Sequence, residues 1–312
     1  MGRVTRRLPA LRVDVSDPAS PAVVRRPDTV TVEEPLEIRV GGAPLSVTMR
    51  TPGDDFDLTI GHLVTEGLLH GAAEVKQLMH CLDADESGSP TYNVVDVTLA
   101  EGARLHARPA SREGYTTSAC GVCGKSSIEA ITTQSRYAVA QDPVEVSPAV
   151  VAALPQALKE EQRVFARTGG LHAAAVFTPE GEVLAAREDV GRHNAVDKVV
   201  GWAAREDRLP LSGHVLAISA RASFELVQKA LMAGIPMVVA VSAPSSLAVD
   251  LAEAAGLTLV AFARPPHLTV YSGAHRLGLR PDGHRSGSVS GSASEPVSGT
   301  VSEPVSGSVP AS

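Results

Sequence analysis

At 312 residues the chain can bury a substantial core, as one large or two smaller domains. Apolar residues make up 44% and charged residues 20%, as in an ordinary globular protein. Aromatics at 3% leave few rings to stack on bases, and a net charge of −7 argues against a surface that grips phosphates throughout, so no nucleic-acid partner is expected.

Residues 1–27, rich in Pro, Arg and Ser, read as a flexible arm. No apolar stretch follows Arg3, Arg6 and Arg7, so no export signal is predicted, and no window approaches the roughly 18 apolar residues of a membrane span. Residues 28–147 form a smaller N-terminal α+β subdomain. Thr29–Val40 and Pro44–Met49 read as strands around the Gly41-Gly42 turn, Asp54 or Asp55 caps a helix running through Leu69, and Tyr92–Leu99 is a further strand.

Residues 148–275 read as α/β. Short strands at Ala173–Phe177 and Val183–Arg187 flank a turn, and a helix follows at Ala195–Arg205. Strands Val215–Ser219, Met237–Ser242 and Leu257–Ala263 then alternate with helices Ser223–Ala233 and Ser246–Ala255. Unbroken apolar strands alternating with helices indicate a parallel sheet covered on both faces, whose ligands sit at the carboxyl ends of the strands. Arg221 and Arg264 stand at such ends, and Arg forks match phosphate oxygens. The Ser/Gly/Val/Pro tail within residues 276–312 repeats Glu-Pro-Val-Ser-Gly and reads as disordered.

Three cysteines, Cys81, Cys120 and Cys123, are a poor disulfide framework, and cytoplasm, where free thiols persist, is the expected compartment. Cys120-Gly121-Val122-Cys123-Gly124-Lys125 reads as an exposed, Gly-flanked loop with a cation near its thiols. Four readings compete: a zinc site completed by His80 and Cys81, a thioredoxin-like redox pair, two structural cysteines, and a persulfide relay. Structural zinc normally takes four ligands, and a second cysteine pair is missing. Hydrolytic deamination on zinc would need His-x-Glu and Pro-Cys-x-x-Cys; the first is absent and Ala119 stands where the proline would be. No metal is therefore expected.

Two polar runs complete the inventory. Thr168-Gly169-Gly170-Leu171-His172 offers glycines for close approach of backbone to a ligand, or a simple turn with a packed histidine. In Glu188-Asp189-Val190-Gly191-Arg192-His193-Asn194, Asn194 can cap the following helix, whose N-terminus with Arg192 and His193 favours an anion; Asp197 and Lys198 read as an exposed pair.

These runs, with Ser118–Gly124, Arg221-Ala222-Ser223-Phe224-Glu225, the Asp189–Lys198 stretch, Phe262-Ala263-Arg264 and Tyr271-Ser272, occur in order over about residues 30–273 and resemble FdhD, the formate dehydrogenase accessory sulfurtransferase family. Ala220 departs from the glycine usual before the arginine in that family. The resemblance implies a cytidine-deaminase-like α/β fold, with a parallel or mixed sheet and flanking helices but without zinc chemistry. It implies a homodimer that takes persulfide sulfur from a cysteine desulfurase onto Cys120, with Cys123 as second thiol. Sulfur then passes to the molybdenum or tungsten of a bis(molybdopterin guanine dinucleotide) cofactor, required for formate dehydrogenase activity. The cofactor stretch falls on Phe262, Ala263, Arg264, Pro265, Pro266 and His267, with Arg221, His172, Arg192 and His193 as further contacts. The alternative is a chaperone that holds the cofactor or the dehydrogenase without transferring sulfur.

Overall fold

The computed structural model describes residues 4–81, 91–106 and 135–279. Cys120 and Cys123, and with them every reading of the thiol loop, lie outside the described residues.

The strands of the first block differ in part from expectation. β1 (Thr5–Asp14) and β2 (Ala22–Thr31) pair antiparallel along their whole length, so the segment read as a flexible arm is a two-stranded ribbon. Its side chains are mostly exposed, and composition suggested looseness for that reason: the ribbon is held by main-chain pairing rather than by a core. Pro9 and Pro27 face each other across it, tolerable where each strand has a free edge. β3 (Glu34–Val40), β4 (Ala43–Arg50), β5 (Val75–Cys81) and β6 (Val94–Leu99) form a second sheet in the order β4-β3-β6-β5, with the β3–β4 turn at Gly41-Gly42. α1 (Asp55–Thr65) stops short of Leu69 because Gly67 takes φ +72° and the Leu68 and Leu69 N–H groups fold back onto the Leu63 carbonyl.

The second block supplies α2 (Pro148–Glu161), the one-turn α3 (Phe165–Thr168), β7 (His172–Phe177), β8 (Val183–Asp189), α4 (Arg192–Arg205), β9 (Val215–Ile218), α5 (Phe224–Met232), β10 (Met237–Ala240), α6 (Ser246–Ala254), β11 (Thr258–Arg264) and β12 (His267–Ser272). The six-stranded sheet runs β12-β11-β10-β9-β7-β8. Its centre, β9-β10-β11, is parallel, while β7 and β12 are antiparallel to their neighbours, so the sheet is mixed, with flanking helices.

Period-two alternation splits the apolar residues between two layers. Ala174, Val176, Leu216, Ile218 and Val238 face α4, α5 and α6, whereas Ala173, Ala175, Phe177, Val215 and Val239 face Val151, Leu154 and Leu158 of α2. The first layer also holds Leu36, Ile38, Leu58 and Leu63, so the two composition blocks share one core. α1 crosses α4 at Gly61 and Gly201, where a Cβ on Gly61 would strike the Asp197 carbonyl and one on Gly201 the Asp57 carbonyl. The described chain continues past residue 275 with Arg276 and Leu277 buried, so residues 276–279 belong to the body rather than to the tail. Among the described residues no helix is long and apolar enough to cross a membrane.

Candidate functional site

One edge of the large sheet gathers the chemistry. β9, β10 and β11 end there, β7 begins there because it runs antiparallel to β9, and β8 returns to it because it runs antiparallel to β7. His172 opens β7, Arg192 and His193 open α4 directly after β8, and Arg221 follows β9 exposed. The β11–β12 turn, in which Arg264 pairs with His267, closes the row, with Ala263 buried and Arg264, Pro265, Pro266 and His267 exposed. From β8 to β11 this edge spans four strand spacings, roughly 19 Å at about 4.8 Å each. All the predicted ligand contacts among the described residues lie on this one edge.

The order beneath the row is built by a buried ion network. Asp189 is fully buried; its Oδ1 accepts from the Gly191 N–H at 2.8 Å and from Asn194 Nδ2 at 3.1 Å, while Lys198 Nζ lies 2.8 Å from its Oδ2. Lys198 also donates to the Thr51 and Glu188 carbonyls. Asp197 binds Lys229 Nζ at 2.8 Å and accepts from Thr65 Oγ1 at 2.7 Å. Burial pushes the Asp197 carboxyl up, but the Lys229 ammonium and His62 more than offset it and hold it at about 2. Asp197 and Lys198 are thus buried, each with its own partner, and not the exposed pair expected. A local pattern could not show this, because their partners come from β8, α1 and α5. Asn194 is not the cap of α4; Gly191 is, and the Asn194 amide ties Met49 O and Asp189 together from within the first turn. The glycines before His172 also serve the fold: Gly169 takes φ +66° to end α3, and a Cβ on Gly170 would press on Thr31 Oγ1 at 3.1 Å.

Apart from Glu225, whose side chain is 46% exposed, the outward-facing groups of the row are cationic or neutral donors. Burial lowers the pKa of His172, and Arg192 and His193 push it further in the same direction. His193 Nε2 stands 3.7 Å from Glu225 Oε2, an ion-pair separation rather than a hydrogen bond. His193 is the main reason the Glu225 carboxyl sits low, at about 2. Neither the buried Nε2 of His193 nor the buried Oγ of Ser223 has a hydrogen-bond partner, two of four such atoms among the described residues. Buried polar atoms without hydrogen bonds are unusual; these two lie beside the Glu225 carboxylate, on which both side chains act. Ser223 and Glu225 were visible in the sequence only within the Arg221–Glu225 run, with no role assigned. Phe262 adds a second anomaly: it takes φ +51° with its side chain 45% exposed. A bulky residue in the left-handed region is strained, and such strain clusters at ligand clamps.

The remaining thiol-site candidates are placed elsewhere. His80 stacks on Phe56 with ring centroids 4.8 Å apart and meets the Tyr92 ring edge-on, beside the free Cys81. The segment that carries Cys120 and Cys123 leaves the described structure at His106 and re-enters at Ser135, whose Oγ donates to the Leu231 carbonyl at the far end of α5.

A model of the FdhD/NarQ family matches residues 31–278. A protein of Streptomyces avermitilis named sulfur carrier protein FdhD is 56% identical over 281 residues, covering 90% of this chain and 98% of that protein. One of the same name from Mycolicibacterium paratuberculosis is 55% identical over 255 residues, covering 82% of this chain and 94% of that protein. Among solved structures, a formate dehydrogenase accessory protein from Desulfotalea psychrophila superposes with a TM-score of 0.65 at 20% identity, over 88% of this chain and all of that one. At that identity the likeness bears on the fold.

Proposed function

The chain belongs to the FdhD/NarQ family, and from that premise we propose that it is a cytoplasmic sulfurtransferase that carries persulfide sulfur on Cys120 to a bis(molybdopterin guanine dinucleotide) cofactor bound along the carboxyl edge of the large sheet. Two names among the relatives, sulfur carrier protein FdhD, support the sulfur half. The observation that carries the cofactor half is the row of His172, Arg192, His193, Arg221 and the Phe262–His267 turn on one edge of the sheet. A dinucleotide is a long polyanion, and an acidic protein needs such a local concentration of donors and cations to hold it. The exposed Phe262 ring offers a face for its base or pterin.

In loading, the Cys120 thiolate attacks the outer sulfur of the desulfurase persulfide; the new S–S bond forms as the old one breaks, and the desulfurase leaves as thiolate. Release as hydrosulfide takes two electrons. Cys123 supplies them by attacking Cys120 Sγ and closing a disulfide, which an external dithiol then reduces. Reach permits this geometry: α5 rises roughly 14 Å from the ligand edge to the end where the thiol segment is attached, whereas the chain from His106 to Cys120 can span up to roughly 46 Å. The partners are a cysteine desulfurase and formate dehydrogenase, and the working form is a homodimer.

The test is intact-mass analysis after incubation with a cysteine desulfurase and cysteine. Wild type gains sulfur, Cys120→Ala gains none, and Cys123→Ala loads but delivers poorly. Full sulfur gain and full dehydrogenase maturation in Cys120→Ala would remove the assignment, and a cofactor-binding chain that never takes up sulfur would be a chaperone instead.

A further inference from the structure

At the opposite end of α5 from the ligand edge, three side chains from separate parts of the chain converge. His70 lies in the loop after α1, Glu74 ends the 3-10 turn Ala72–Glu74 before β5, and His106 follows β6. Glu74 and His106 are 32 residues apart in sequence, so no local spacing announces the set. Glu74 Oε1 is 3.4 Å from His106 Nε2 and 3.7 Å from His70 Nδ1, and one ligand atom from each residue falls within 4.8 Å of the others. The two imidazole centroids are only 4.0 Å apart.

We propose that His70, Glu74 and His106 form a binding site for one divalent transition-metal ion of the zinc, cobalt or iron(II) class. Two imidazoles and one carboxylate are the donor set these ions share. Ligands bonded at about 2.1 Å in a tetrahedron stand about 3.4 Å apart, which the two Glu74 separations already approach. The main chain fixes the three residues before any ion arrives. The His106 N–H donates to the Leu68 carbonyl at 3.0 Å, the Ala100 N–H to the Glu74 carbonyl at 2.8 Å, and the His70 N–H to Glu74 Oε2. The three ligands leave at least one coordination position open, and His70 and His106 line a cleft of about 170 Å³ with Val64, Leu69, Arg136 and Met232. Arg136 there favours an anion as the further ligand.

This site is independent of the sulfur-carrier reading. The expectation of no metal rested on the cysteine spacing and the missing His-x-Glu, and neither bears on a set assembled from the loop after α1, the turn before β5 and the residues after β6.

The experiment titrates the full chain with Co²⁺ and, separately, Zn²⁺ by calorimetry, with absorption spectra recorded for cobalt. Expected are one equivalent bound, a visible d–d band, and no thiolate-to-cobalt charge-transfer band in the near ultraviolet. Glu74→Gln, nearly isosteric and checked for an unchanged melting temperature, weakens binding at least about 10-fold, as does His106→Gln. Loss of binding in both variants without loss of fold supports the site. No stoichiometric binding by wild type, unchanged affinity in Glu74→Gln, or a thiolate band showing that the ion has gone to the cysteines would each overturn it.

Discussion

Arg264 stands at the end of β11, exposed, in the turn that faces the proposed polyanion. A charge-assisted contact to phosphate contributes about 1.5–3 kcal/mol, so Arg264→Ala should weaken GDP binding roughly 10- to 100-fold while leaving persulfide loading unchanged. Calorimetry with GDP beside the desulfurase mass assay reads both effects. Unchanged affinity in both Arg264→Ala and Arg221→Ala would move the pocket off this edge. Asp197 makes a different kind of statement. Its partner Lys229 is 5% exposed, and Asp197→Asn removes the nearer of that ammonium's counter-charges and leaves Glu66 Oε1 at 3.6 Å, at a cost of up to about 3–5 kcal/mol read by urea unfolding.

Between elements, the α1–α4 crossing depends on two glycines. Helix propensity alone predicts that Gly61→Ala or Gly201→Ala would stabilise by roughly 1 kcal/mol. The added methyl, however, would land on a backbone carbonyl of the facing helix, which cannot move aside as a side-chain tip can. Overpacking of about 1–3 kcal/mol or more should therefore win, and both variants should lose stability in thermal melts. A rise in melting temperature would mean that the helices separate more readily than this contact suggests. The site depends on the same crossing, because Asp57, Asp197 and Lys198 are presented from α1 and α4 to Arg187, Lys229 and Asp189.

For the whole molecule, acid is the informative stress. Asp197 and Glu225 both fall to about 2 in the folded chain from ordinary values of 3.8 and 4.5. A depressed carboxyl pKa stabilises above its unfolded value, and that contribution is lost as pH falls through the folded one. Melting temperature should therefore drop between about pH 4.5 and 2, chiefly through Asp197, since Glu225 is partly exposed and screened. The Asp197→Asn variant should show a shallower acid limb, and an unchanged slope would place the acid lability in other carboxylates. The Ser286–Ser312 segment, outside the described residues, has nothing to bury by composition, so its removal should leave melting temperature and sulfur loading unchanged; a large loss of stability on truncation would show that it docks.

The sequence by itself determined whatever is local or periodic. Apolar runs at β9, β10 and β11, alternating with α5 and α6, fixed a parallel centre, and strand ends there carried Arg221 and Arg264, because burial on both faces writes a continuous apolar signal. His172, Arg192 and His193 were legible as residues of dense polar runs, and the resemblance named the Phe262–His267 stretch. Only the tertiary structure decided what each of these residues touches. It turned Asp189, Asn194, Asp197 and Lys198 inward by supplying partners from β4, α1 and α5, and it stiffened residues 5–31 by pairing two strands whose exposed side chains carry no burial pattern. It also brought His70, Glu74 and His106 together across separate elements. Electrostatic pairing at 3–4 Å depends on where distant backbone segments meet, which no window of neighbouring residues encodes.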